Sequence, residues 1–151
     1  MKRLYPDQPI VGIGVVIVCE GKIVLAQRGN EPGRGKWTIP GGLVDLGESI
    51  EGTVIREAKE ETCLDVEKPR LIDVVDNVEF DEAGKIKYHY VIVDYFVTVK
   101  GGTLKAASDV VDLRWVPFSE VEGYNLTQSF RDFFTHNRDK LEQYNSYATG
   151  N

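Results

Sequence analysis

One helical segment interrupts a chain that otherwise consists of strand-like runs. Residues 49–62 carry apolar side chains at helical spacing, with Ser49 as a suitable N-cap. The runs around this segment are rich in β-branched and aromatic residues and are separated by turn residues. Three runs precede it (11–19, 23–26 and 37–40), and three follow it (70–80, 88–99 and 113–116). A second helix is predicted from Thr127 to Tyr144, so we expect an α/β fold with a mixed β-sheet between helices.

Length and composition exclude several classes of protein. The 151 residues, of which 42% are hydrophobic, suffice for one domain over residues 1–151 with an ordinary core. The net charge of −6 repels phosphate backbones and argues against a nucleic-acid partner. The apolar run 10–19 is too short to span a bilayer, which argues against a membrane protein. Cys19 and Cys63 are too few for a disulfide framework, so we expect a cytoplasmic location.

Three glutamates lie on one side of the predicted helix 49–62. At about 100° per residue, Glu57, Glu60 and Glu61 fall within an arc of roughly 100°. The apolar arc beside them contains Ile50, Val54, Ile55 and Ala58. Like charges at this spacing cost roughly 0.2–0.5 kcal/mol per pair, and a hard divalent cation would offset that repulsion. A solvated face, with Arg56 paired to Glu60, is the alternative, and the spacing alone leaves both open.

The residues around these acids form a longer pattern. Five residues separate Gly42 from Glu48, and seven more separate Glu48 from Arg56-Glu57-Ala58-Lys59-Glu60-Glu61-Thr62-Cys63-Leu64. The pattern resembles the Nudix box almost position for position, and Trp37–Gly42 resembles the approach that usually precedes it. The resemblance implies a Nudix-type α/β/α sandwich. It also implies a Mg²⁺-dependent pyrophosphohydrolase of small nucleotide derivatives, with Mn²⁺ as the alternative ion.

The resemblance further implies roles for individual residues. The candidate metal ligands are Gly41 through its carbonyl, Glu48, Glu57, Glu60 and Glu61. Gly41 and Gly42 would form a tight loop that brings a carbonyl to the cation. Glu48 would contribute to the site or orient it, and Arg56 would hold a box glutamate in place. The base that activates water would be Glu61 or, second, Asp109 from a later loop. Asp112 is also a candidate, with an ordinary turn residue as the alternative for either aspartate.

Substrate contacts are expected from the residues that precede the box. Arg28 ends the second predicted strand, where similar arginines in the family contact phosphate or base. Arg34 and Lys36 in the glycine-rich loop are candidates for the same contacts, with solvated loop charges as the alternative. Trp37 is a candidate for stacking on a base, with core packing as the alternative.

The overall pattern is most similar to the small ADP-ribose pyrophosphatase branch, whose products are AMP and ribose 5-phosphate. One departure is Phe80, which stands where some ADP-ribose hydrolases carry a proline. The first alternative is a house-cleaning hydrolase of oxidised or non-standard nucleoside triphosphates. The second is a non-catalytic nucleotide sensor, which the intact glutamates disfavour. Relatives are often homodimers, and the resemblance extends that expectation to this chain.

Cys63 departs from the Nudix pattern, which has a glycine at this position. The residue lies where the helix should end, and helices often end with a residue at positive φ. A side chain in that conformation costs roughly 1–2 kcal/mol that glycine avoids. We therefore expect a strained backbone at Cys63, and a thiol packed into the core as a small hydrophobe is the rival explanation.

Overall fold

The computed structural model describes residues 2–147 of the chain. Its strands are β1 (Ile10–Val16), β2 (Val18–Cys19), β3 (Lys22–Arg28), β4 (Trp37–Thr38), β5 (Gly41–Leu43), β6 (Leu64–Phe80), β7 (Ile86–Gly102) and β8 (Val110–Pro117). Its helices are α1 (Ile50–Thr62), a 3₁₀ helix (Phe118–Gly123) and α2 (Gln128–Gln143). The predicted α/β class, with a mixed sheet between helices, is confirmed.

The strands form two sheets. The first has the order β5-β1-β7-β6 and is mixed, because β1 runs parallel to β7 while the other pairs are antiparallel. In the second, β3 pairs antiparallel with β2, β4 and β8. The prediction of one strand over 11–19 was wrong, because the chain passes from the first sheet to the second at Ile17. Ile17 and its neighbours are fully buried, so an unbroken apolar run conceals the change of sheet.

The two longer helices cover opposite faces of the sheets. Alternate residues of β1 divide between them, since Val15 packs in the cluster with α1 and Val16 in the cluster with α2. Helix α2 contributes four apolar side chains at helical spacing: Phe130, Phe133, Phe134 and Leu141. The predicted bounds of this helix are confirmed, with Thr127 as the N-cap. Within residues 2–147, no helix has the length and apolar character needed to cross a membrane.

Helix α1 begins at its predicted cap. The Ser49 hydroxyl accepts a hydrogen bond from the Gly52 N–H at 3.0 Å, which satisfies a free donor of the first turn. Val54 and Ala58 are buried as predicted, but Ile50 and Ile55 are exposed. The rest of the buried face is formed by Thr53 and Thr62, whose hydroxyls donate to backbone carbonyls one turn earlier in the chain. The buried face of α1 is therefore rotated from the predicted arc.

The helix ends at Cys63, whose backbone is left-handed with φ 63° and ψ 13°. Its N–H donates to the Lys59 carbonyl at 3.0 Å, closing the last turn. The predicted positive φ is confirmed. From this cap the chain enters the hairpin of β6 and β7, whose strands are longer than the predicted runs 70–80 and 88–99. Strand β8 likewise extends beyond the predicted run 113–116.

Candidate active site

The Gly41–Gly42 pair lies beneath the glutamates of α1. We predicted a tight loop here, but both residues belong to β5, with Gly41 opposite Gly14 and Gly42 opposite Ile13. A β-carbon on Gly41 would collide with the Ile13 carbonyl oxygen, and one on Gly42 would collide with the Glu57 carboxylate. Close approach, and not a turn, therefore explains both glycines.

Glu57 and Glu61 meet at this glycine pair from two successive turns of α1. Glu61 Oε1 accepts a hydrogen bond from the Gly41 N–H at 2.9 Å, while the Glu57 carboxylate lies against Gly42. Burial raises the pKa of Glu61 to about 7, the Gly41 N–H and Arg28 oppose that shift, and Glu57 and Asp109 add to it. Burial also raises the pKa of Glu57, although Arg56 opposes the shift. Both ionised carboxylates are thus poorly solvated.

Arg56 of α1 is the centre of an ion-pair network. Its Nε and Nη2 donate to the two Glu48 oxygens at 2.7 and 2.9 Å, and its Nη1 donates to Glu57 at 2.8 Å and Glu60 at 3.0 Å. Nη2 also donates to the Leu43 carbonyl at 3.1 Å, which ties the network to β5. A planar guanidinium suits this arrangement because its donors are fixed in a fork. Arg56 therefore positions the box glutamates relative to the glycine pair.

Glu48 faces Arg56. The hydrogen bonds from Arg56, followed by the one from the Thr53 hydroxyl at 2.7 Å, lower the pKa of Glu48 to about 2. One of its oxygens also accepts from the Asp45 N–H at 3.2 Å. Because both oxygens already have donors, the geometry favours the orienting role among the two roles expected for Glu48.

The donor set fits a hard divalent cation. Glu57, Glu60 and Glu61 provide carboxylate oxygens, the ligand type that such ions prefer, and two of these groups are buried at a cost that a cation would offset. Within residues 2–147, no three acidic, histidine or cysteine side chains already converge as a cage. Glu60 does not converge with Glu57 and Glu61, because its side chain is half exposed and directed to Arg56.

Arg28 and Asp109 approach Glu61 from the second sheet. The Arg28 Nε donates to the Pro32 carbonyl at 2.6 Å, and its charge reaches Glu61. Asp109 is exposed, and its carbonyl accepts from the Gly29 N–H at 3.1 Å. The loop before Asp109 is held to α1, since the Lys105 N–H donates to the Thr62 carbonyl at 3.0 Å. The structure thus brings these two predicted residues to the glutamates.

Three other candidates are not brought to the glutamates. Trp37 is 8% exposed, edge-on to the Tyr124 ring at 5.2 Å, with the Arg114 guanidinium 5.0 Å from its ring centre. This leaves little open ring for a base, so the structure favours the core alternative for Trp37. Arg34 is exposed, and its backbone N–H donates to Glu31 at 2.9 Å. Asp112 belongs to β8, not to a loop, and binds Arg114 at 3.0 Å.

Sequence reasoning missed Asp94, a buried carboxylate on β7. It lies opposite Gly14 of β1, in the same row of the sheet as Gly41. The available signal was one acidic residue inside the apolar run 88–99. Periodicity places such a residue on a face of a strand but does not indicate what that face meets.

Known proteins with similar sequences and structures have the same architecture. The model of the NUDIX domain matches residues 8–136. The ADP-ribose pyrophosphatase of Methanocaldococcus jannaschii is 33% identical over 136 residues, 90% of this chain and 73% of that protein. A MutT NUDIX hydrolase structure from Burkholderia pseudomallei is 31% identical with a TM-score of 0.70, covering 83% of this chain and 95% of that one. The NUDIX domain of Shewanella oneidensis NrtR, solved with ADP ribose, is 25% identical with a TM-score of 0.73, covering 90% of each chain.

The region matched by the family model contains the candidate site residues on α1 and β5. The matched region includes the whole pattern from the glycine pair to the left-handed cap at Cys63. The Nudix-type α/β/α sandwich expected from the sequence is confirmed by the two structural matches. The chain therefore belongs to the Nudix family and is a Nudix hydrolase.

Proposed function

We propose that this hydrolase is a Mg²⁺-dependent pyrophosphohydrolase that cleaves a nucleoside diphosphate linked to a second moiety, with ADP-ribose as the leading candidate. Mn²⁺ is the alternative ion. The M. jannaschii relative is named for ADP-ribose cleavage, and the Shewanella domain is solved with ADP ribose. Both similarities support the substrate, whose products would be AMP and ribose 5-phosphate.

One observation carries the dependence on a cation. Glu61 is mostly buried, its hydrogen bond within residues 2–147 is to the Gly41 N–H, and no cationic side chain in that range lies within ion-pair distance. Glu57 lies next to it, against Gly42. Arg56 pairs with Glu57 at 2.8 Å but not with Glu61, so the two poorly solvated carboxylates are not both neutralised by the protein's own charges. A divalent cation would supply the missing positive charge.

The residues would fill four roles, and Glu61 would fill two of them. Glu57, Glu60 and Glu61, with the Gly41 carbonyl, would hold the ion, while Glu48 acts through Arg56 to orient them. A bound Mg²⁺ would neutralise the substrate phosphates and lower the pKa of a coordinated water. Glu61 would accept the proton of the attacking water, and Asp109 is the second candidate. Arg28 would bind the substrate beside Glu61, and Arg34 remains a candidate for its outer part.

A substrate panel tests this function. ADP-ribose, other nucleoside diphosphate sugars and oxidised nucleoside triphosphates are incubated with Mg²⁺, with Mn²⁺ or with excess chelator, and products are separated by chromatography. We expect AMP and ribose 5-phosphate from ADP-ribose, and no hydrolysis in chelator. A higher kcat/KM for the triphosphates would instead support the house-cleaning alternative. Unchanged activity in chelator would contradict the role of the cation, and inactivity toward the whole panel would support a sensor.

We also expect a homodimer and a cytoplasmic location, as inferred from the sequence. The edge strand β6 supports the dimer, because Leu71, Val74 and Phe80 are more than half exposed along it. Sedimentation velocity checks the dimer: a single species near 17.0 kDa across the micromolar range would contradict it.

A further inference from the structure

Asp94 is a buried carboxylate that has no hydrogen-bond partner in the described part of the chain. Its side chain lies in the middle of β7 at 3% exposure, and within residues 2–147 no N–H or O–H donates to it. In the same range, no fully enclosed side-chain oxygen or nitrogen lacks a partner. The Asp94 oxygens are therefore not fully enclosed, although the residue is buried. A carboxylate with free lone pairs and some remaining exposure can accept hydrogen bonds from a bound molecule.

The Asp94 carboxylate is directed toward Gly14, which lies between Asp94 and Gly41 in the sheet. A β-carbon on Gly14 would collide with Asp94 Oδ1 and with the Ile39 side chain, so Asp94 reaches over the bare backbone of β1. Gly14 pairs with Gly41 on its other side. Two strand spacings separate Asp94 from Gly41, or about 10 Å. That is the distance scale between a metal-bound diphosphate and the nucleoside attached to it.

The face that carries Asp94 also carries Tyr90, which lies within electrostatic reach of Arg28. Tyr90 lies four residues earlier on β7 and so points to the same face. Burial raises the pKa of Tyr90 and that of Glu61, and Arg28 opposes both shifts. One guanidinium thus lies within electrostatic reach of the catalytic glutamate and of this face. A substrate held by Arg28 at its phosphates can extend over the face toward Asp94.

Contacts that stabilise the fold do not explain Asp94. Its neighbour across the sheet, Asp73, has a donor, since Asn137 of α2 donates to it at 3.1 Å. Burial, and then repulsion from Asp73, raises the pKa of Asp94 to about 7. The ionised group is therefore unfavourable in the folded protein. A residue that costs stability in this way is typical of a binding site.

We propose that Asp94 recognises the nucleoside part of the substrate by accepting a hydrogen bond from an N–H of the base or an O–H of the ribose. The proposal rests on the proposed function, because it requires a nucleoside-containing substrate. Arg28 and the cation would bind the phosphates, which all nucleotides share. Asp94 would then determine which nucleoside is accepted.

The test compares Asp94→Ala and Asp94→Asn with the wild type on ADP-ribose and three analogues. One analogue carries purine without its 6-amino group, and two lack the 2′- or 3′-hydroxyl of the adenosine ribose. We expect the analogue that lacks the bonded donor to lower wild-type kcat/KM by roughly 10- to 100-fold, and Asp94→Ala to be insensitive to its removal. The affected analogue shows whether the donor belongs to the base or to the ribose.

Stability distinguishes recognition from a structural role. Removing an unpartnered buried carboxylate should leave the melting temperature equal or higher at pH 8, while kcat/KM for ADP-ribose falls. Asp76→Asn, at an exposed carboxylate of β6, is the matched control and should match the wild type. Equal kcat/KM for Asp94→Ala and wild type would overturn the proposal. So would a lower kcat/KM with the same analogue penalties as the wild type, since the effect would then be indirect.

Calorimetric titration with ADP and the matching ADP analogues separates this proposal from the proposed function. If the wild type binds ADP but does not hydrolyse ADP-ribose, the proposed function fails. The role of Asp94 is then tested by comparing the ADP affinities of the wild type and Asp94→Ala. Weaker ADP binding by Asp94→Ala, with no further loss for one analogue, would support recognition. Equal affinities, or no binding of any nucleoside diphosphate to the wild type, would overturn it.

Discussion

Cys63 holds a conformation that glycine adopts without strain. Its φ of 63° requires the β-carbon to approach the following carbonyl, at a cost of roughly 1–2 kcal/mol. The thiol is half-buried and outside the fully buried core, so the rival packing explanation has limited surface to act through. Strain therefore outweighs packing at this position.

Cys63→Gly should stabilise the protein by roughly 0.5–1 kcal/mol, since relief of strain exceeds the added chain entropy of glycine. Denaturant unfolding measures the change, and activity should stay close to wild type. Cys63→Ala is the matched control, because it removes the thiol but keeps the β-carbon, and we expect it to unfold near the wild-type midpoint. A lower midpoint for the glycine variant, with unchanged slope, would show that the thiol packing dominates.

Glu61→Gln should lower kcat by on the order of 100-fold or more, because the amide can neither accept the proton nor supply charge to the cation. The fold should persist, since the amide oxygen can still accept from the Gly41 N–H. Glu51→Gln, an exposed position on the same helix, is the control. Turnover near the wild-type value would remove Glu61 from the proposed machinery.

The same variant has a pH-dependent effect on stability. A folded pKa of about 7 lies above the ordinary glutamate value of about 4.3. Below about pH 4.3, Glu61 is protonated in both the folded and the unfolded chain and does not lower the free energy of unfolding. As pH rises, its ionisation lowers the free energy of unfolding increasingly, and the loss is complete above about pH 7. In chelator, Glu61→Gln should gain stability over the wild type between pH 5 and 8. A constant difference across that range would contradict the raised pKa.

Helix α1 works as a unit because Arg56 links its glutamates to β5. In Arg56→Lys, a single ammonium cannot reproduce the paired bonds to Glu48 together with those to Glu57 and Leu43. We expect kcat/KM to fall by roughly 10- to 100-fold, as for other residues that orient metal ligands. Arg138→Lys, at the exposed pair with Glu142 on α2, is the control and should change little. Wild-type kcat/KM in Arg56→Lys would contradict the positioning role.

The Arg56 network also predicts that the free energy of unfolding falls at acidic pH. The pKa of Glu48 is lowered to about 2, so its contribution is complete above the ordinary value of about 4.3 and is lost as pH falls through about 2. The free energy of unfolding of the wild type should exceed that of Arg56→Lys by a constant amount at pH 6–8. Urea unfolding at lower pH should show this excess shrinking. An excess that grows on acidification would have the wrong sign.

For the whole molecule, a bound cation should stabilise the fold, because it neutralises Glu57 and Glu61 only when the chain is folded. Saturation at 100 times the dissociation constant contributes about 2.7 kcal/mol, or roughly 5–10 °C in Tm for a domain of this size. Calorimetric scans in Mg²⁺ and in chelator, matched in ionic strength with NaCl, measure the shift. The shift should shrink in Glu61→Gln, and equal melting temperatures in Mg²⁺ and chelator would contradict the cation site.

The sequence by itself determined the features that depend on neighbouring residues. Capping and helical spacing are local, so both ends of α1, from Ser49 to the left-handed Cys63, could be predicted. The spacing from Gly42 to Leu64 was enough to predict the family and its sandwich fold. The glutamates at the site could be named for the same reason, since their positions on one helix follow from the helical period.

Only the tertiary structure decided the features that depend on distant partners. The change of sheet at Ile17 and the position of Gly41–Gly42 in β5 depend on which strands pair. Hydrophobic periodicity cannot predict this pairing, because a fully buried run is apolar at every position. Trp37 packs in the core because Tyr124 and Arg114, far along the chain, meet its ring. Asp94 lies over the bare backbone of Gly14 because the sheet pairs these two residues, which are 80 positions apart in sequence. Such contacts join residues whose separation in sequence carries no information about their distance in space.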